Sequence, residues 1–342
     1  MKKMLMTSYL SKRKLPINLS EVDISIFEHE LSSQIGEVYY LKEKNVRVFN
    51  GILFSFRKLS FFMEHTFFKH LRTMYEKTFF ERLKRITKGF INSRKNKEKL
   101  DKGIWFTDHK SHIYFHWILD SLQRAQVSSV LNKDYPLLVP EDFYNKQFVV
   151  ESLDLLGFNY VIIKSNTIYK VKDLIIISKT AVSGNYYESI LSELIQNFKS
   201  KSKKIKNNKY ENLFIKRSGK NGREIANIDE LEKILEKHNF HFIEFEKHSF
   251  IEKIRILHSC KNLVGVFGSG LTNMIFLNPN SNILEIRNPH DKHNNAYFSL
   301  ASALDLNYYY LYFDHNENVE TLDVKMLNIQ IEALDHILER LN

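Results

Sequence analysis

The chain has 342 residues, 43% of them hydrophobic and 26% charged, which suits a folded globular protein of two domains and excludes disorder as its main state. Fifty Lys and Arg against 40 Asp and Glu give a formal charge of +10, and the single cysteine, Cys260, leaves no intrachain disulfide and no cysteine-based metal site. The apolar runs, such as 160–164 and 174–177, are strand-sized and interrupted by charge, so no window reads as a membrane span.

At the start, Met1-Lys2-Lys3-Met4-Leu5-Met6-Thr7 is followed by Ser11-Lys12-Arg13-Lys14 before a signal-peptide core accumulates, so a cytoplasmic protein is expected. Strand-like alternation at 37–41 and 46–54 precedes a stretch, 57–99, in which basic residues greatly outnumber acids. Those cations are interleaved with Phe61, Phe62, Phe67, Phe68, Phe79, Phe80 and Phe90. The pattern predicts a helical insertion over 57–100, either with a core of Phe and a solvated basic face or docked on anionic lipid. No nucleic-acid motif accompanies it, and nucleic acid is not expected as a partner.

Regular alternation begins after residue 100. Strands are expected at 104–107, 136–139, 160–163 and 174–177, with helices at 114–131 and 146–156. After the basic, polar run 199–209, a second series places strands at 213–216, 241–245, 262–266, 283–286 and 308–313. Helices fall at 228–238, 250–259, 271–277, 296–304 and 324–341, the first capped by Asn227 or Asp229. Strands alternating with helices mean parallel sheets covered on both faces. The expected architecture is therefore α/β, with two Rossmann-like domains facing each other across a cleft. Domain 1–185 carries the basic insertion, 186–320 forms the second domain, and 321–342 a C-terminal helix.

Three motifs carry chemistry. In Tyr114-Phe115-His116-Trp117-Ile118-Leu119-Asp120-Ser121-Leu122-Gln123-Arg124, helical spacing puts His116, Asp120 and Arg124 on one stripe, suited to general-base work and acceptor binding, or to an ordinary ion pair with a satisfied histidine. In the second, Lys216 and Arg217 end a strand and Arg223 follows a glycine-containing turn, a plausible diphosphate clamp because guanidinium forks match phosphate oxygens. Asn227 and Glu230 would form a capping box beside it. In the third, Gly265-Val266-Phe267-Gly268-Ser269-Gly270-Leu271-Thr272-Asn273 breaks a strand and opens a helix whose N–H groups invite an anion, with Ser269, Thr272 and Asn273 as side-chain donors. Glu285, ending the next strand, is placed to accept from ribose hydroxyls or to pair with Arg287.

In this order and spacing the motifs resemble glycosyltransferase family 61, also described as the capsular polysaccharide biosynthesis or DUF563 family. The matching positions are Tyr114, Phe115, His116, Trp117 and Asp120; Arg217, Arg223, Asn227 and Glu230; and Gly265, Gly268, Gly270, Leu271, Thr272, Asn273 and Glu285. Phe267 stands where the family usually has His, Ser269 where it has Ala, and Gln123 where Pro is common. The resemblance covers residues 100–315 and implies an inverting glycosyltransferase of the GT-B fold that acts in surface polysaccharide biosynthesis. It would move a sugar from a nucleotide-sugar to a glycan or lipid-linked glycan acceptor. Asp120 or His116 would serve as base, with Tyr114, Trp117 and Arg124 on the acceptor side. Arg217, Arg223, Gly268, Ser269, Gly270, Leu271, Thr272, Asn273 and Glu285 would hold the donor. With no convincing Asp-x-Asp element, neither a metal nor another cofactor is expected. A peripheral position on the inner face of the cytoplasmic membrane fits the basic segment. A catalytically silent binding or scaffold protein of the same fold is the alternative.

Overall fold

The computed structural model describes residues 2–55, 57, 58, 60–62, 65, 96–131, 134–202, 210–216, 224–291, 294–314 and 326–341. The predicted basic helical insertion therefore lies largely outside the described residues. The chain forms two compact units, Met1–Tyr9 with Gly36–Val182, and Leu10–Ile35 with Ser183–Asn342.

In the first unit, β1 (Lys2–Met6) pairs with β4 (Val38–Phe49); β2 (Tyr9–Lys12) and β3 (Ser32–Ile35) make a separate two-stranded ribbon that, but for Tyr9, belongs to the second unit. The remaining strands are β5 (Ile52–Ser55), β6 (Ser60–Phe61), β7 (Asn96–Trp105), β8 (Leu137–Pro140), β9 (Tyr160–Ile163) and β10 (Thr167–Ile177). They join in the order β6-β5-β4-β10-β7-β8-β9. Strands β10, β7, β8 and β9 run parallel, and β4 closes against β10 in antiparallel register. Val46, Val48, Trp105, Leu138, Tyr169, Val171, Leu174 and Ile176 fill one core on this sheet. The two runs expected at 37–41 and 46–54 are thus a 12-residue strand and its hairpin partner.

In the second unit, the strands are β11 (Asn212–Ile215), β12 (Glu224–Ile225), β13 (His241–Ile243), β14 (Asn262–Val266), β15 (Asn282–Arg287), β16 (Asn307–Asp314) and β17 (Met326–Ile329). Their order is β12-β17-β16-β15-β14-β11-β13. All neighbours are parallel except β16 and β17. Val264, Val266, Leu284, Ile286, Leu311 and Phe313 pack on one face against the helices Ile228–Lys237 and Ile331–Leu341.

Three expectations change here. Residues 10–35 belong to the second unit, because Ile17 N–H donates to the Tyr308 carbonyl (2.8 Å) and the Asn18 amide bonds both N–H and C=O of Tyr310. This covers β16 where an open strand edge would otherwise stand. The expected final helix 324–341 is a strand and a helix, since residues 326–329 alternate exposed and buried and pair with Phe313 and Asp314. Asn227 makes no side-chain cap; its amide donates to the Ile329 carbonyl (2.8 Å) and accepts from the Ile329 N–H (3.0 Å). A capping box does form on the next helix, Phe250–His258, between Ser249 and Glu252.

Four of the parallel strands begin with asparagine, in register Asn212↔Asn262↔Asn282↔Asn307. Their side-chain amides form a ladder: Asn262 donates to Asn212 (2.8 Å), Asn282 to Asn262 (2.7 Å) and Asn307 to Asn282 (3.0 Å). Each amide in the middle is satisfied on both sides, so the ladder rewards one register only. Replacing Asn262 by Ala removes two rungs and leaves their partners unmet, which should cost about 1–3 kcal/mol in urea unfolding. Stability equal to the parent would show that the ladder does not hold the register.

Candidate active site

The parallel strands of the second unit run in the spatial order β13-β11-β14-β15-β16, so connections leave β11 and β14 toward opposite sides of the sheet. Ligands of open parallel sheets sit at such a switch point, beyond the carboxyl ends of the strands. Here those ends are Ile215 and Val266. Gly268 follows with φ 144° and ψ 171°, a conformation open to glycine alone, and turns the chain into the 3-10 helix Ser269–Phe276. Gly268, Ser269 and Gly270 are partly exposed at this mouth, and the first N–H groups of a helix have no partner inside it.

Close packing forms the mouth. A Cβ on Gly265 would stand 3.0 Å from Ile215 Cδ1 and 3.2 Å from Leu271 Cδ2, and one on Gly270 would stand 3.1 Å from Ile215 Cγ2. The two glycines let the helix start descend onto the end of β11. Asn273, expected as a ligand donor, donates to the Gly270 carbonyl (2.8 Å) and braces the turn from within. Leu271 and Thr272 are fully buried, and Thr272 Oγ1 has no hydrogen-bond partner among the described residues. Phe267 turns away from the mouth into the core, where its ring stacks on Phe313 at 5.9 Å and 12°.

Glu285 is buried beside Gly265 in the sheet and accepts from the Tyr308 hydroxyl (2.6 Å). Burial next to this carboxylate pushes the Tyr308 phenol up, which keeps it a donor. Arg287 lies within electrostatic reach of Glu285 and donates to Asn295 (3.0 Å). Of the expected clamp, Lys216 is exposed over the Phe242 ring (4.9 Å), and Arg217 and Arg223 lie outside the described residues.

In the first unit, the chemistry-bearing residues gather at the adjacent carboxyl ends of β7 and β10. Tyr114–His116 and Leu122–Ser128 are α-helical, and Trp117–Ser121 between them forms a π-turn, a feature that often marks functional sites. His116 Nδ1 and Asp120 Oδ2 are 2.7 Å apart, with the side chains 15% and 11% exposed. The Gln123 side chain donates to the Leu119 carbonyl inside this turn. Trp117 is core, donating to Ser152 (2.9 Å) beneath Phe106, whereas Tyr114 is half-buried against Phe148.

Arg124, expected to meet an acceptor, is buried and anchors the site. It donates to the Ile177 carbonyl (2.6 Å) at the end of β10 and to that of His65 (3.3 Å). Burial lowers its pKa to about 10 against the opposing pull of Asp108 and Asp120. Lys179, two residues beyond β10, lies 3.7 Å from buried Asp108, which follows β7. Burial lowers the Lys179 pKa too, while Asp108 and Asp120 oppose the shift. His65 falls to about 3 through burial first and these cations second, so its ring is neutral at pH 7. Asp108, Lys179 and His65 were not among the expected site residues, yet Trp105-Phe106-Thr107-Asp108 and Ile175-Ile176-Ile177-Ser178-Lys179 each end an apolar strand in a charge. Among the described residues, no three His, Cys, Asp or Glu side chains gather to hold a metal ion.

A family model, Glycosyltransferase 61, matches residues 114–284, which is half of the chain and includes the helix of His116 and the glycine turn. The chain belongs to glycosyltransferase family 61. No curated protein sequence matches it. Membership makes the chain a glycosyltransferase, and the family span runs from Tyr114 to Leu284, one residue short of Glu285.

The glycine packing predicts a specific rescue. Gly265→Ala should cost about 1–3 kcal/mol by overpacking. Adding Ile215→Val removes the Cδ1 atom and should recover part of the loss, whereas Gly270→Ala, which meets the Cγ2 atom that Val retains, should gain little. Equal recovery of both variants in thermal unfolding would contradict the geometry.

Proposed function

We propose that this glycosyltransferase moves a sugar from a nucleotide-sugar to a glycan acceptor with inversion at the anomeric carbon. The observation that carries the reading is the 2.7 Å pair of His116 and Asp120 in a π-turn, at strand ends that also hold Asp108 and Lys179. The units serve as the two halves of a GT-B enzyme, donor on the second and acceptor on the first. Family membership and the open turn at the switch point support that division.

His116 is the base. With Nδ1–H donated to Asp120, Nε2 is the basic nitrogen, and the carboxylate fixes the tautomer and steadies the imidazolium once it forms. Arg124 and Lys179 both lie in electrostatic reach of Asp120. In the reaction Nε2 takes the acceptor hydroxyl proton as that oxygen bonds to the anomeric carbon. The bond from that carbon to the diphosphate oxygen breaks, and the electron pair leaves with the nucleoside diphosphate. The N–H groups at Ser269 and Gly270, with Arg217 and Arg223, receive the new charge. The described part of the turn and the sequence of the basic loop support this assignment. The acceptor is a growing surface polysaccharide or its lipid-linked precursor, as the family resemblance suggests. The reaction belongs on the cytoplasmic side, where the lone, buried Cys260 thiol, pushed up to about 12 by burial, stays reduced.

His116→Ala should lower kcat by about 10²–10⁴-fold with donor affinity retained, and added imidazole should restore part of it. Asp120→Asn should lose less, because the ring remains and only its orientation loosens. Full loss in Asp120→Asn beside near-normal turnover in His116→Ala would reverse the roles. Arg217→Ala should weaken nucleoside diphosphate binding by about tenfold or more in calorimetry. Tight nucleotide-sugar binding by the parent chain without transfer to any acceptor would instead make it a silent binder.

A further inference from the structure

Beyond the carboxyl ends of β7 and β8, two segments of the first unit bring aromatic side chains to the surface. The chain after β7 passes through His112, Ile113, Tyr114 and Phe115 before it reaches His116, and the chain after β8 passes through Phe143 and Phe148. Strands β7 and β8 are parallel neighbours, so both segments leave the same edge of the sheet side by side. Ring contacts join them: His112 stacks on Phe143 (6.3 Å, 29°), and Tyr114 meets Phe148 edge to face (5.2 Å, 85°). Phe115 stands edge to face against His116 itself (5.1 Å, 84°). Of these aromatic residues, only Tyr114 was expected on the acceptor side.

These contacts hold the residues without hiding them. His112 and Ile113 are exposed, Ile113 at 38%, and Tyr114, Phe115, Phe143 and Phe148 are half-buried. Rings already fixed by their neighbours offer flat apolar area at little further cost in entropy when a ligand arrives. Polar groups stand beside that area. His112 donates Nδ1–H to the His109 carbonyl (2.9 Å), which in the neutral ring leaves Nε2 as an acceptor. Glu151, one helical turn on from Phe148, accepts from the Gln147 amide (2.8 Å).

We propose that this aromatic shelf binds the acceptor glycan, taking the uncharged sugar rings next to the one whose hydroxyl reacts. The inference rests on His116 as the base, because His116 ties the shelf to the reacting hydroxyl. A pyranose presents a flat face of C–H groups inside a girdle of hydroxyls. An aromatic ring covers that face while neighbouring polar atoms bond the girdle. Charge selects among ligands: residues 141–151 hold Glu141, Asp142 and Glu151 against the single Lys146, so an acidic polymer or an anionic bilayer would be repelled there. Asp108 and Lys179 gather instead at the ends of β7 and β10, on the other side of β7 from β8. The reacting sugar would lie at that charged end, and the rest of the acceptor would run from it across the end of β8.

The test is an array of neutral and acidic oligosaccharides probed with the full chain and with Phe143→Leu/Phe148→Leu, which keeps apolar side chains but removes both flat faces. The parent should capture neutral oligosaccharides of two or more sugars in preference to acidic ones. The double variant should bind them about tenfold more weakly with its circular dichroism kept, and Phe143→Tyr/Phe148→Tyr, which restores the rings, should bind as the parent does. His112→Ala, at an exposed position that folding tolerates, should weaken binding several-fold. A parent chain that captures no neutral oligosaccharide would overturn the proposal, as would undiminished capture in both Phe143→Leu/Phe148→Leu and His112→Ala, or preferential binding to acidic oligosaccharides or phosphatidylglycerol vesicles. Glycan binding that behaves as described while His116→Ala keeps its turnover would count against the catalytic reading alone. Turnover lost in His116→Ala, with glycan binding unmoved by the shelf variants, would count against the shelf alone.

Discussion

The asparagine ladder at the foot of the second sheet is the interaction on which the rest of that unit depends. Four parallel strands have many ways to slide, and a slip of one residue would turn every inward side chain outward. The amides of Asn212, Asn262, Asn282 and Asn307 bond in sequence only when the four residues are level. Once they are level at the amino ends, the carboxyl ends follow. Ile215 stands beside Gly265, and Gly265 beside Glu285. The mouth formed by Gly268, Ser269 and Gly270 is a consequence of a register fixed at the opposite edge.

The first unit solves the same problem with a buried cation. Burying a guanidinium is expensive unless it is well bonded, and Arg124 has Nε and Nη1 without hydrogen-bond partners among the described residues. Its bonds to the carbonyls of Ile177 and His65 tie the helix of His116 to the end of β10. Ser111 adds a second tie, bonded to Ser121 of the π-turn (2.7 Å) and to the Asp108 N–H (2.8 Å). The helix that carries His116 and Asp120 is held by these buried groups.

Much of this was legible in the sequence. The strands at 160–163 and 262–266 have the expected limits, and the alternation of strands and helices, the glycine turn and the motif around His116 lie where periodicity and spacing put them. What escaped was decided by tertiary partners. Asn227 reads as a cap until β17 offers it a backbone pair. Arg124 reads as acceptor-side because helical spacing gives a stripe but not which side of it is buried, and Trp117, placed there by the family resemblance, is buried as well. Phe267, unexplained as a replacement for His, is a core residue stacked on Phe313. The ladder escaped because Asn212, Asn282 and Asn307 each stand one residue before an expected strand, and only pairing with Asn262 and one another gives those amides a meaning.

The central claim is that the glycine turn at the switch point holds the diphosphate of a nucleotide-sugar. Isothermal titration of a panel of nucleotide-sugars into the full chain, beside Gly268→Val, tests it most directly. The account predicts that at least one nucleotide-sugar binds the parent, that its nucleoside diphosphate competes, and that Gly268→Val loses both while its circular dichroism is kept. Undiminished binding in Gly268→Val, or a parent chain that binds no nucleotide-sugar, would contradict it.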